Sequence, residues 1–219
     1  MSNPPGPINN GNLPESPSLY IDLAAEKKRI FLPVCRETSH ALLVSEATIR
    51  NQTRQLTQLE KYNPEDYAPF PCPFSLVVFI EGGSELSQNQ TSARLSWTLT
   101  FASTSSYNRS GSLASYFPRT SLCAKQEAIL ALLDFLKSDD VDIMLRRVII
   151  VACDEESMAR MVTWLEDDAC SDYFNPAPDV LTEEGRTEVI SIRIRRLCSS
   201  KGWDIKFWLV TSTQIVKPT

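Results

Sequence analysis

The chain has one histidine, His40, in 219 residues, and none of its six cysteines forms a C-x-x-C pair. Cys35, Cys72, Cys123, Cys153, Cys170 and Cys198 are scattered, so a Cys/His metal cluster is not available to it. They read as reduced thiols, most of them small core residues. A lone histidine with no placed cysteine or serine gives no basis for a nucleophile–base triad either. No apolar run approaches the roughly 18 residues of a transmembrane helix, and the start of the chain lacks a basic stretch followed by an apolar one. The expectation is a soluble, intracellular protein, cytoplasmic or nuclear, with no membrane partner. On that expectation the N-x-S/T triplets at Asn51, Asn89 and Asn108 are ordinary polar loops and surface. Positive charge is not in excess: 22 Lys and Arg stand against 27 Asp and Glu, a net charge of −5. That sign is wrong for a protein that grips a phosphate backbone over its whole surface. What is present is 42% hydrophobic content, enough at this length for one good core and an appendage.

Residues 1–18 (MSNPPGPINNGNLPESPS) are dense in Pro, Asn, Gly and Ser and read as disordered. Residues 19–74 read as an N-terminal extension. "YIDLAAEKKRIFLP" has no clean period and fits an extended or short helical segment laid over the main domain. "SHALLVSEATIRNQTRQLTQLEKY" carries Leu42, Leu43, Ile49, Leu56 and Leu59 at near-helical spacing behind a capping Ser39, which predicts a helix. "NPEDYAPFPCPF" is a stiff Pro-rich connector that sets a boundary near residue 74.

Residues 75–219 change character. "SLVVFIE" (75–81) predicts a buried strand, and "ARLSWTLTFAS" (93–103) an alternating, half-buried one. "SGSLASYFP" (110–118) is a weaker third. "CAKQEAILALLDFLK" carries an apolar helical face behind Ser121 as a cap. "RRVIIVACD" (146–154) predicts a strand buried on both faces, running into a helix whose first turn is acidic, "EESMARMVTWLEDD". A helix at about 186–200 and a strand at 204–212 complete the order. Gly82 and Gly83 read as a tight turn, and Trp164, Trp203 and Trp208 as core packing.

This order, with the residues at its turns, resembles the type 1 ribonuclease H fold, and in particular the fungal ribonuclease H-like proteins. The resemblance covers roughly residues 75–212. "LVVFIEGGSE" is similar to the family's first strand and its aspartate-glycine-serine turn, and "ARLSWTLTF" to the second strand. "RTSLCAKQEAILALLDFL" stands where the family's first helix opens on arginine, alanine and glutamate. "VIIVACDEESMARMVTWL" resembles the fourth strand and the turn into the next helix, and "IKFWLVTST" the fifth strand. The resemblance implies an α/β (α+β) domain with a five-stranded mixed sheet flanked by helices, preceded here by a helical extension.

An active member holds two Mg²⁺ ions with four carboxylates and cuts the RNA strand of a hybrid. Carried over one position at a time, the first-strand aspartate falls on Glu81, which keeps the charge. The helix glutamate falls on Lys125, and the fourth-strand aspartate on Asp154, which is intact. The fourth carboxylate belongs after the fifth strand, where "QIVKPT" offers no acid. Four acids give about −4 at a metal centre, whereas Glu81, Lys125 and Asp154 give about −1, too little for two hard divalent cations. Glu127 is a poor substitute, because two residues along a helix is a rotation of roughly 200° and points it away from Lys125's direction, to solvent. On this register Lys125 pairs with Asp154 or Glu81.

Each residue also has a plain structural reading: Asp154 as a helix cap, Glu81 as a solvated strand end, Lys125 as a surface lysine. Arg193, Arg195, Arg196 and Lys201 make the one local basic patch, either a solvated helix face or a weak nucleic-acid contact. The resemblance thus implies a catalytically inactive ribonuclease H-like pseudoenzyme serving as a binding or scaffold module. It would carry no cofactor and work with a protein partner or as a homo-oligomer, with weak or no nucleic-acid binding. The alternatives are a weak or altered Mg²⁺-dependent nuclease, with Glu81 and Asp154 as metal ligands and Glu127 in support, or a fold recruited to a small-molecule reaction.

Overall fold

The structure is a computed structural model and describes residues 20–85, 94–138, 145–167 and 178–211. The Pro- and Asn-rich start (1–18), residues 86–93 with the Asn89 triplet, Cys170 and the "QIVKPT" end lie outside the described residues.

The central strands are the apolar runs of the sequence. β6 (Ser75–Glu85) lies parallel to β9 (Arg147–Cys153), with Ser75 opposite Arg147 and Phe79 opposite Val151. β9 lies parallel to β10 (Asp204–Val210). On its other side β6 pairs antiparallel with β7 (Arg94–Thr100), which pairs antiparallel with β8 (Arg109–Ser112). The spatial order is therefore β8-β7-β6-β9-β10. A helix, α2 (Ser121–Lys137), connects β8 to β9, and two more, α3 (Glu156–Asp167) and α4 (Glu183–Lys201), connect β9 to β10. Thr120 caps α2 by accepting from Cys123 N, with Ser121 as the first helical residue, and Thr182 caps α4 by accepting from Gly185 N. Gly202, at φ 67°, ends α4 in the left-handed region that glycine takes at least cost.

Strand alternation splits the core into two layers. Leu76, Val78 and Ile80 of β6 and Val148, Ile150 and Ala152 of β9 face the three helices. Val77, Phe79, Ile149, Val151, Trp208 and Val210 point the other way and are buried too. The expectation that β9 is covered on both faces holds, since Val148 through Ala152 are each no more than 1% exposed.

What covers the second face is the N-terminal extension, and here the expected helix is not what forms. Residues 44–47 make a single turn, α1 (Val44–Ala47), followed by a hairpin of β3 (Thr48–Asn51) and β4 (Leu56–Tyr62). Leu42, Ile49 and Leu56, seven residues apart, mimic a helical stripe, but Thr48, Ile49 and Thr57 are β-branched and suit a strand. Asn51 turns the chain by accepting from Arg54 N, and Gln55 takes a positive φ of 55°. β4 then fills the place beside β6 that β7 vacates: Thr57 pairs with Val77, and Thr57 N donates to Phe101 O at 2.7 Å. The Pro-rich connector contributes β5 (Pro69–Pro71), paired with β4. Among the described residues the sheet accordingly has eight strands rather than five, and the regular structure of the extension is strand apart from the single turn of α1. Its first part is extended, with β1 (Tyr20–Asp22) and β2 (Pro33–Cys35) forming a small antiparallel pair. Ile30 bridges to Phe207 along the β10 edge, with Phe207 N donating to Arg29 O and Phe31 N to Phe207 O. Tyr20, Phe31, Leu42, Val44, Ala47, Leu59 and Cys72 close over the second face.

Candidate functional site

Glu81, Lys125 and Asp154 are brought to one end of the molecule, where β6 and β9 stop running side by side. Phe79–Val151 is the last parallel pair, so Glu81, two residues on, comes level with Cys153, and Asp154 follows directly. Lys125 arrives from above, on the second turn of α2, because that helix starts directly over Gly82. A Cβ on Gly82 would stand 2.7 Å from Lys125 N and 2.8 Å from Ala124 Cβ. Gly82 and Gly83 are thus not a turn. They lie inside β6, and Gly82 is the place where helix and strand backbones touch.

The ammonium of Lys125 is sealed in, its side chain 3% exposed, and lies 2.6 Å from Glu155 Oε2. Its partner is thus Glu155, at the start of α3, and not Asp154 or Glu81 as the register alone suggests. The α3 helix begins at Glu156, and Glu155 O accepts its first bond, from Ala159 N. The capping place expected of Asp154 is therefore taken by Glu155. Asp154 is exposed, and its backbone N–H donates to Val210 O at 2.7 Å. Ser121 ties the group together: its hydroxyl lies 3.0 Å from Gly82 O and 3.2 Å from Glu155 Oε2. Glu81 accepts from Thr98 Oγ1 at 3.5 Å, across the β6–β7 pair. Ser121 and Glu155 were missed as site residues. The signals were present, since Ser121 and Lys125 are four apart on one helix and Glu155 adjoins Asp154.

Glu127 does not point to free solvent. It is ion-paired with Arg186 of α4, whose side chain is 2% exposed and stacks on Phe117 with its guanidinium carbon 4.3 Å from the ring centroid. Between the two, Gln126 Nε2 donates to Glu183 O and to Thr187 Oγ1, both at 2.8 Å. These contacts fix the rotation of α2, and with it the inward aim of Lys125.

The basic residues occupy the C-terminal half of α4, where cations suit the helix dipole. Arg193 pairs with Asp134 of α2 at 2.7 Å, while Arg196 and Lys201 are exposed and Arg195 is half-buried. Trp203 and Trp208 are buried as expected, but Trp164 is 42% exposed. Cys35, Cys72, Cys123, Cys153 and Cys198 are free thiols. Burial pushes the Cys123 thiol up, whereas hydrogen bonds from the Thr38 side chain and the backbone of Thr38 and Glu37 pull Cys35 down.

A pair of divalent cations does not fit this set of donors. Glu155 Oε2 is taken by an ammonium and a hydroxyl, and Glu81 Oε2 accepts from the Thr98 hydroxyl. Among the described residues no group of three or more His, Cys, Asp or Glu side chains is arranged to hold an ion. No helix among them is long and apolar enough to cross a membrane. No protein-family model matches the chain, and no curated protein matches it significantly.

Proposed function

We propose that residues 75–211 form a ribonuclease H-like module whose cleft no longer carries two-metal chemistry and which serves as a binding or scaffold module. The fold half of this reading is supported by the strand order β8-β7-β6-β9-β10, its two parallel pairs, and helices placed between the third and fourth and between the fourth and fifth strands. The functional half is carried by one observation, a buried ammonium joined to Glu155, at the position to which the resemblance assigns a metal-binding carboxylate. Hard divalent cations take oxygen ligands and are repelled by a fixed cation in the same shell. No cofactor is called for on this reading, and the partner is a protein.

The test is a cleavage assay of the full-length protein on an RNA/DNA hybrid with Mg²⁺ or Mn²⁺. No cleavage above the buffer rate is expected. Turnover that vanishes in Asp154→Asn would overturn the reading and establish a metal-dependent nuclease in its place.

A further inference from the structure

Between α3 and the start of α4 runs a groove of about 510 Å³. Its floor is apolar, made by the buried Leu122 of α2 and Met161 of α3, Trp164 of α3 stands at its edge, and its rim is acidic, made by Asp179, Glu184 and Glu188. Acids at the start of a helix are often no more than a complement to its dipole. That accounts for Glu183 and Glu184 in the first turn, and Glu183 is further engaged by the Thr120 hydroxyl. It does not account for Glu188, a turn further on; Asp179, which precedes the helix, accepts from Leu181 N at 3.0 Å and carries its charge to the same rim. Among the described residues no ion pair involves Asp179, Glu184 or Glu188. The cation at this rim is Arg160, itself 4.0 Å from Glu156 on its own helix. Four carboxylates, counting Glu183, therefore face one guanidinium across the groove.

Trp164 supplies an independent reason to expect a cationic occupant. Met158, Met161, Val162 and Leu165 of α3 are buried, yet the indole beside them is left 42% exposed at the groove's edge. A tryptophan face attracts ammonium and guanidinium groups, and an exposed tryptophan beside an apolar hollow is the kind of anchor on which interfaces concentrate their energy.

We propose that this groove docks a lysine- and arginine-rich peptide segment of a partner protein. An aliphatic side chain of the segment would sit on Leu122 and Met161, and its cations would lie against Trp164 and the acidic rim. This deepens the reading of the molecule as a binding module and rests on it in naming the partner's chemistry. The groove and the cleft are nonetheless tested separately, since hybrid cleavage reports on the cleft alone and peptide binding on the groove alone.

The experiment titrates the full-length protein into a fluorescein-labelled peptide amide, GKKLKKLKKG, and into a control with every lysine replaced by glutamate. Anisotropy reports binding and tryptophan emission reports contact at Trp164. The lysine peptide is expected to bind saturably and the glutamate control not at all. The rim variant Glu184→Gln/Glu188→Gln should weaken binding about tenfold or more, and Trp164→Ala similarly. Far-UV circular dichroism and the thermal midpoint show whether each variant remains folded. Unchanged affinity in a folded rim variant, equal binding of the glutamate control, or no saturable binding of the lysine peptide would each overturn the proposal.

Discussion

Lys125 and Glu155 are unequally placed, and the inequality decides which substitution is costly. The lysine side chain is 3% exposed and the glutamate 43%. Removing the lysine leaves a carboxylate that water can reach, whereas removing the glutamate's charge leaves an ammonium that water cannot. With Glu155 as partner the larger penalty therefore falls on loss of the glutamate's charge. Lys125→Met, of similar length, is expected to cost under about 1 kcal/mol, and Glu155→Gln about 1–3 kcal/mol. Urea unfolding of the two variants checks this; a Lys125→Met penalty larger than that of Glu155→Gln would mean that the ammonium neutralises more than Glu155. The register of α2, and hence the inward aim of Lys125, was legible in the sequence because Ala124, Ala128, Leu132 and Leu136 mark the buried face. The choice of Glu155 over Asp154 was not. Two adjacent acids differ there only by the strand-end geometry that turns one outward and makes the other the helix cap.

At the scale of elements, the close contact of α2 with β6 rests on the absence of one side chain. Gly82 and Gly83 look alike in sequence, and both suit a turn. In the structure a Cβ at Gly82 would meet the α2 backbone at 2.7 Å, while one at Gly83 meets nothing within 4 Å. Gly82→Ala should therefore push the first turn of α2 off the sheet, at a cost of about 1–3 kcal/mol. Gly83→Ala should stay within about 0.5 kcal/mol of the parent. Thermal and urea unfolding of the pair measures the difference, and equal stabilities would mean that α2 shifts freely over β6. Whether a glycine serves a turn or a close approach is a tertiary matter that local composition does not encode. The same holds for the β3–β4 hairpin, whose leucine spacing imitates a helix while its neighbours, β6 and the end of β7, dictate a strand. β6, β9 and β10, by contrast, are readable from composition alone, since their apolar runs are bounded at the lengths strands take.

For the whole molecule, the extension is part of the core, and its attachment centres on a second buried lysine. Lys206 of β10 sits on the sheet face that the extension covers. Its ammonium lies 3.2 Å from Asp22 Oδ2, 3.2 Å from Ala24 O and 3.3 Å from Ala25 O. Asp22 in turn accepts from Ala24 N and Leu32 N through its other oxygen, which folds residues 22–32 into a loop held against the strand. Glu166 of α3 fastens the far side of that loop by accepting from Lys28 N and Arg29 N. The side chains of Asp22 and Lys206 are 9% and 4% exposed, so neither charge has water to fall back on. Asp22→Ala is expected to cost about 3–5 kcal/mol, because it strands the ammonium against two carbonyls and also frees two backbone donors. Asp22→Asn/Lys206→Met removes both charges together while keeping the oxygen that accepts from Ala24 and Leu32, and should recover most of that loss. Limited trypsin digestion gives the spatial readout: Lys27 and Lys28 are exposed on the loop, and cutting there should accelerate in Asp22→Ala in step with the fall in thermal midpoint. Faster cutting with an unchanged midpoint would instead describe a flap laid on a domain complete without it. Concerted loss is the expected outcome, since Phe31 and Tyr20, flanking the loop, pack edge-on in a row that ends on Trp208 of the sheet itself.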